Sequence, residues 1–364
     1  MCPYCDFTVK IRSKIPEQSY TDRICQEIEK GAESWQDIDF QSLYLGGGTP
    51  SLWSAKSLAR VFETVQSRLK TDFSEITIEA NPQDIHEDTL RGWKALGIDR
   101  VSLGVQSFSD SYLQQLGRNH DGDTAKRALE LLNVFGFRIS ADLIFAGPGQ
   151  SLEMFSKDLD LLSMFVNHLS VYALSVEKNT QFWKRKKNGS LILPDDEAEE
   201  AFLDLRDTTL MRAGFERYEV SSFARNVGDR ALHNSGYWLG KAYWGLGIGA
   251  HSFHWDGAGF FRRSNTKSLK KYGEEDGFST ERVGGDEHWF ERLFLIVRTR
   301  FWFSLPEIAA EFPDSSRLKI QESADVLDRF CDTWIEKKGE HYRLKACGLD
   351  VSDSIGKALV EKIQ

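Results

Sequence analysis

Two hydrophobic rhythms alternate along the first half of the chain. Short apolar or β-branched runs fall at residues 42–45, 75–78, 101–105, 138–144 and 169–175. Between them, apolar residues recur every three or four positions, over residues 55–69, 86–96, either side of Gly117, and 152–165. Strands alternating with helices in this way predict parallel βα units, closed as a barrel or left as an open sheet. Beyond them the KRKKNGS stretch (Lys184 to Ser190) reads as a solvated loop, and a helix is predicted over 195–213. From Gly284 the pattern is helical. It ends in a short hairpin within KKGEHYRLK and a last amphipathic helix, a winged-helix-like arrangement. The expected organisation is α/β with a partial barrel over 1–217 and a mostly helical, winged-helix-like domain over 218–364.

Chemistry collects where the predicted strands end. GGGTP (Gly46 to Pro50) follows the first, Glu79 ends the second in EANP, Gln106 follows the third in GVQSF, and Asp142 lies late in the fourth. Tips of parallel strands converge on one face, where barrel active sites lie. Glycines are default turn residues and carry little weight alone. Glu, Gln and Asp at strand tips cost burial unless something polar meets them. Three successive glycines let a ligand approach the backbone closely, but without Gly-Lys-Ser/Thr they are no phosphate-binding P-loop. GLGIGA (Gly245 to Ala250) lacks the spacing and strand-turn-helix setting of a dinucleotide fingerprint.

Composition narrows the class. With 41% hydrophobic and 28% charged residues and no long apolar run, the chain reads as a soluble globular protein without a membrane span. Five cysteines are too few for a disulfide framework, and no secretory signal is visible, so a cytoplasmic protein is expected. The net charge of -9 gives no support for a nucleic-acid partner. From Gly284 onward, 12 Lys and Arg face 15 Asp and Glu, so the winged-helix-like tail reads as a packing or partner surface. Cys2 and Cys5, in MCPYCDF, are spaced to grip one metal or to pair as a redox disulfide. A thioredoxin-like pair follows a strand, and a zinc site takes four ligands; neither companion is present.

CPYCDF, YLGGGTPS, EANP, GVQSF, LGRNH, DLIFAGPG, HNSGYW and GLGIGAHS, in this order, resemble the radical S-adenosylmethionine proteins related to oxygen-independent coproporphyrinogen oxidase. The resemblance runs from Met1 to about Trp255. It implies a 4Fe-4S cluster held by three thiolates of a C-x3-C-x2-C loop, with S-adenosylmethionine on the open iron. Cys2 and Cys5 match the second and third ligands, and the position of the first would precede Met1. The expectation is therefore a start that omits the first ligand and the first strand. Cys25, on a helical pattern, is read as an ordinary buried cysteine. By the same resemblance Gly47, Gly48 and Thr49 meet the methionyl end of S-adenosylmethionine, and Arg118 forks its carboxylate. Glu79 accepts from its amino group or a nearby polar atom, Gln106 and Asp142 take the ribose hydroxyls, and Tyr4 and Phe7 pack the cluster loop.

The oxidases of this group carry a further cysteine where this chain has Phe7. Phe7 and HNSGYW resemble instead the heme chaperones of the HemW type, whose H-N-x-x-Y-W motif is associated with heme. His233 is then the candidate iron ligand, with Tyr237 and Trp238 shaping the wall and His251 and His254 as rivals. The resemblance implies a protein that takes heme and passes it to an unidentified acceptor protein. The competing expectation is oxidative decarboxylation of coproporphyrinogen III.

Overall fold

The computed structural model describes residues 2–7, 15–255, 259–274, 277–312 and 317–363. The chain divides into two units, Met1–Glu216 with Ser221–Ala231, and Arg217–Val220 with Leu232–Gln364.

In the first unit the order is α1 (Glu17–Gly31), β1 (Phe40–Leu45), α2 (Ala55–Arg68), β2 (Thr71–Ala80), α3 (Glu87–Ala95), β3 (Arg100–Gln106), α4 (Asp110–Gln115), α5 (Gly122–Val134), β4 (Arg138–Phe145), α6 (Leu152–Ser163), β5 (His168–Ala173), α7 (Gln181–Lys187) and α8 (Asp196–Arg212), followed by β6 (Glu216–Arg217) and β7 (Ser222–Ala224). The strands form one sheet in the order β1-β2-β3-β4-β5-β7-β6. Neighbours from β1 to β5 pair in parallel, and β7 runs antiparallel to β5. The expected strands and helices therefore stand where the two rhythms put them. Side chains of Ser54, Asp121 and Ser151 accept from the backbone N–H groups of Ser57, Thr124 and Met154, capping α2, α5 and α6. Each cap meets a donor that the helix itself leaves unsatisfied.

The alternation of side chains within a strand makes the sheet two-faced. Ile76 and Ile78 of β2, Val101, Leu103 and Val105 of β3, and Ile139, Ala141 and Leu143 of β4 are buried in one core with Leu90, Trp93, Leu129, Leu132, Leu159 and Leu162 from the helices. Each fully buried Leu, Ile or Val contributes about 1.5–3 kcal/mol of transfer free energy. The intervening positions, Thr77 and Glu79, Ser102, Gly104 and Gln106, and Ser140 and Asp142, belong to the opposite, polar face. Apolar packing thus fixes the register, and with it the polar face.

One expectation for this unit is corrected. Lys184–Lys187 do not lie in a loop but form the last turn of α7, whose first turn is capped by Thr180 accepting from Trp183 N–H. The basic side chains sit where a helix dipole favours them. Only Asn188 to Ser190 lie beyond that helix.

The second unit carries α9 (Leu232–Trp238), β8 (His251–Trp255), β9 (Phe260–Asn265), β10 (Phe278–Val283), α10 (Gly285–Ile296), β11 (Phe303–Ser304), α11 (Leu305–Ala309), α12 (Arg317–Arg329), β12 (Ile335–Lys338), β13 (His341–Leu344) and α13 (Ser352–Ile363). The last seven elements have the helix, strand, two helices, hairpin and helix order of a winged helix. Their sheet runs β11-β13-β12 around a core that includes Trp289, Leu293, Val326, Leu327, Tyr342 and Leu359. The three-stranded antiparallel sheet β10-β9-β8 was not foreseen. No helix among the described residues is long and apolar enough to cross a membrane.

Candidate cofactor and heme sites

In the first unit the strand tips bring the expected residues together on the polar face. Beyond β1 the glycines turn sharply: Gly47 has φ +105°, open to glycine but strained for other residues, and its N–H donates to Glu79 Oε2 at 3.1 Å. Glu79 Oε1 accepts from Tyr44 Oη at 2.9 Å. Burial raises the Glu79 carboxyl against the lowering effect of these bonds. Thr49 precedes the short turn Pro50–Leu52 without a side-chain bond to it, and Gly48 is exposed beside it.

At the end of β3 the ladder with β4 is irregular between Leu103 and Gln106, and Gln106 adopts a left-handed φ of 65°. A non-glycine residue pays for that conformation. Here it accompanies a buried amide whose Oε1 has no hydrogen-bond partner among the described residues. Gly104 makes room for the arrangement: a Cβ there would lie 2.9 Å from Gln106 Nε2 and 3.1 Å from Arg118 Nη2. Arg118 donates through Nη2 to Asn81 Oδ1 and Gly104 O, both at 2.9 Å, and through Nη1 to Cys2 Sγ at 3.6 Å. The Asp142 carboxyl receives Ser102 Oγ at 3.4 Å. Burial, with Glu79 adding repulsion, pushes it up to about 7.

Cys2 and Cys5 close a turn through Cys5 N–H to Cys2 O at 3.2 Å. Pro3 O accepts from Phe182 N–H at 2.9 Å, and the Tyr4 ring lies 6.2 Å from that of Phe182. Burial raises the Tyr4 phenol and the Cys5 thiol. Phe7 corrects the expectation made of it. It is 60% exposed, whereas Tyr4, inside the loop, packs on the cluster of Tyr112, Leu116, Ile144 and Phe182. The physical reason is placement: Phe7 lies beyond the Cys2–Cys5 turn, past the contacts to Phe182. Cys25 is buried on α1, as expected.

The residues present suit S-adenosylmethionine better than they suit a complete cluster. Gln106 Oε1 is an orphaned acceptor, and Glu79 and Asp142 add carboxyls on the same face, for which ribose hydroxyls and an ammonium are fitting donors. The two thiols supply two soft ligands. No group of three metal-ligating side chains occurs among the described residues, so these do not complete a three-thiolate set. Tyr44 and Asn81 were missed in the sequence. The signal for Tyr44 was its place two residues before the glycines, on the same strand face as Ser42.

In the second unit α9 brings His233 and Tyr237 onto one face, four residues apart. His233 Nε2 lies 3.1 Å from Tyr237 Oη, and the rings stand at 86° with centroids 5.0 Å apart. Burial and the neighbouring Tyr243 push the Tyr237 phenol up to about 12. Trp238, one position on, does not join that contact. Its carbonyl accepts from Arg292 Nη1 at 3.4 Å. Of the rival histidines, His251 is exposed with Nδ1 2.8 Å from Ser264 Oγ. His254 is buried, with Nδ1 2.8 Å from Trp255 O.

The model of the radical SAM superfamily matches residues 1–162. The heme chaperone HemW of Bacillus subtilis (strain 168) is 32% identical over 322 residues, covering 86% of this chain and 84% of that protein. The heme chaperone HemW of Haemophilus influenzae is 37% identical over 258 residues, covering 69% of this chain and 66% of that protein. Among solved structures, the coproporphyrinogen III oxidase HemN of Escherichia coli, a radical SAM enzyme, superposes with a TM-score of 0.82 at 21% identity. That match covers 99% of this chain and 87% of the oxidase, and establishes the fold. The chain belongs to the HemW-type heme chaperone family of radical SAM proteins.

Proposed function

We propose that this protein binds heme on the His233–Tyr237 face of α9 and passes it to an acceptor protein, while the polar face of the sheet holds S-adenosylmethionine beside an iron-sulfur cluster. The observation that carries the heme assignment is the His233–Tyr237 pair. A neutral imidazole suits heme iron, and a perpendicular phenol ring beside it suits the face of a macrocycle. The names of the relatives support the same reading.

Each residue of the first unit has a distinct part in this proposal. Arg118 offers a charged fork to the methionyl carboxylate, Gly47, Gly48 and Thr49 line its approach, and Glu79 receives the amino group. Gln106 and Asp142 receive the ribose hydroxyls. Cys2 and Cys5 contribute two thiolates toward a 4Fe-4S cluster, with Tyr4 packing their loop. Bound together, cluster and S-adenosylmethionine would supply one-electron chemistry. The competing reading is decarboxylation of coproporphyrinogen III, favoured by the fold shared with the oxidase. Phe7, standing where the oxidases have a further cysteine, weighs against it.

Titration with hemin, followed by the Soret band, tests the heme site. His233→Ala and Tyr237→Ala are expected to weaken binding at least about tenfold with the far-UV spectrum unchanged, a loss of about 1.4 kcal/mol. Wild-type protein loaded with hemin is expected to deliver it to apomyoglobin. Unchanged hemin affinity in both variants would overturn the site assignment. Turnover of coproporphyrinogen III would overturn the chaperone in favour of the enzyme.

A further inference from the structure

The ring row at His233 does not stop at the motif. Tyr243, five residues beyond Trp238, stands with its ring centroid 4.7 Å from that of Tyr237, at 78°. Imidazole, phenol and phenol therefore follow one another edge to face, at 86° and then 78°. Tyr237 is 39% exposed and both its neighbours in the row are partly exposed. The Tyr243 hydroxyl has no hydrogen-bond partner among the described residues, unlike that of Tyr237.

The sheet holds Tyr243 in this position. Tyr243 and Phe253 exchange both backbone hydrogen bonds at 2.9 Å, which makes them a directly opposed antiparallel pair. Phe253 opposes Arg262 on β9, and Arg262 opposes Glu281 on β10. Directly opposed residues share a face, so Tyr243, Phe253, Arg262 and Glu281 form one row across the sheet. Phe253 stacks on Phe260 at 5.8 Å and 2°, and both rings contact buried His288 of α10. Arg262 pairs with Glu291 of the same helix. Tyr243 is thus the partly exposed end of a row whose other aromatic member, Phe253, is packed. The partly exposed Tyr243 ring prolongs the aromatic surface that begins at His233 and Tyr237.

We propose that Tyr243 is a heme-contact residue, continuing the His233–Tyr237 wall from α9 onto the edge of the β8–β10 sheet. The inference rests on the heme site proposed above and extends it to a residue outside the H-N-x-x-Y-W motif. Its contribution is the ring, set edge-on at 78° to that of Tyr237, and the sheet fixes the ring before heme arrives.

Hemin titration of the full chain, with thermal unfolding in parallel, tests it. Tyr243→Ala is expected to lower hemin affinity about tenfold, and Tyr243→Phe to retain it, because the ring and not the hydroxyl is used. Phe278→Ala is the control, since alternation puts that 44% exposed ring on the other face of the same sheet; its hemin affinity should match wild type. If His233→Ala and Tyr237→Ala weaken binding but Tyr243→Ala does not, the inference falls while the heme site stands. If none of the three weakens it, the heme site itself falls. Equal losses in Tyr243→Phe and Tyr243→Ala would overturn the wall role in favour of a hydroxyl contact, and loss in Phe278→Ala would overturn the confinement to one face.

Discussion

Asp142→Asn tests whether the polar face of the sheet is built for a ligand at the expense of stability. Burial, with Glu79 close by, moves the Asp142 carboxyl from 3.8 to about 7. The folded chain therefore holds this proton more tightly than the unfolded chain. Such a raised carboxyl favours folding at low pH, and its contribution drains away as pH rises from the unfolded pKa to the folded one. Each unit in that window costs about 1.4 kcal/mol, so the full span costs about 4 kcal/mol. At about pH 5.5 the unfolded chain is already ionised, and about 2 kcal/mol remains to be lost by about pH 8.5. Asparagine keeps the shape and an acceptor oxygen for Ser102, but has nothing to ionise. Urea unfolding of both proteins at the two pH values gives the result by difference, because the titrations of other groups cancel. The variant should gain about 2 kcal/mol relative to wild type on passing to the higher pH. A difference constant within about 0.5 kcal/mol would show that Asp142 ionises as readily folded as unfolded, and the account of this face would fail.

Two further substitutions probe the same sheet. Glu75, 1% exposed, lies 3.4 Å from buried Arg100 and 3.6 Å from Arg138, so Glu75→Gln removes the carboxylate charge from beside a buried guanidinium. The expected cost is about 3–5 kcal/mol in urea unfolding, and a near-neutral variant would refute the pairing. Arg118→Lys keeps the charge but loses the planar fork that now spans Asn81, Gly104 and Cys2. Calorimetric affinity for S-adenosylhomocysteine, which carries the same carboxylate, should fall about tenfold or more, and an unchanged affinity would remove Arg118 from the site.

Much of the first unit was legible because its two faces obey one rule. Apolar residues at alternate positions of β2, β3 and β4 pack on the helices, and the positions between them must then be polar or small. Strand direction converts a place in the sequence into a place in space, so Gly47, Glu79, Gln106 and Asp142 group from the sequence alone. The basic run at Lys184 misled because charge reports solvent exposure and not backbone form. The capping signal lay upstream, at Thr180, where side-chain oxygen meets Trp183 N–H. Phe7 misled for a related reason: a motif position names a neighbourhood in the sequence, while burial depends on which distant side chains reach it.

The second unit shows where local reading stops. His233 and Tyr237 are four residues apart on α9, so a helix alone puts them together, and the motif could be read as a site. Tyr243 joins them only through a backbone pair with Phe253, ten positions away, on a sheet whose strands hide their period. In HSFHW and FFRRSN, aromatic and imidazole rings occupy both faces: Phe253 packs on Phe260 on one side, and His254 meets Phe261 on the other. With both faces ring-bearing, alternation no longer separates inside from outside, and the signal that identified β2 to β4 disappears. The row Tyr243, Phe253, Arg262 and Glu281 exists only once the register is known. A one-residue slip of β9 against β8 would bring Arg263 opposite Phe253 and turn Arg262 away from Glu291. The Arg262–Glu291 pair and the Phe253–Phe260 stack both depend on the observed register, and through Phe253 so does the position of Tyr243. The extent of the proposed heme wall is therefore a property of strand pairing, and its motif is only the part that a single helix can encode.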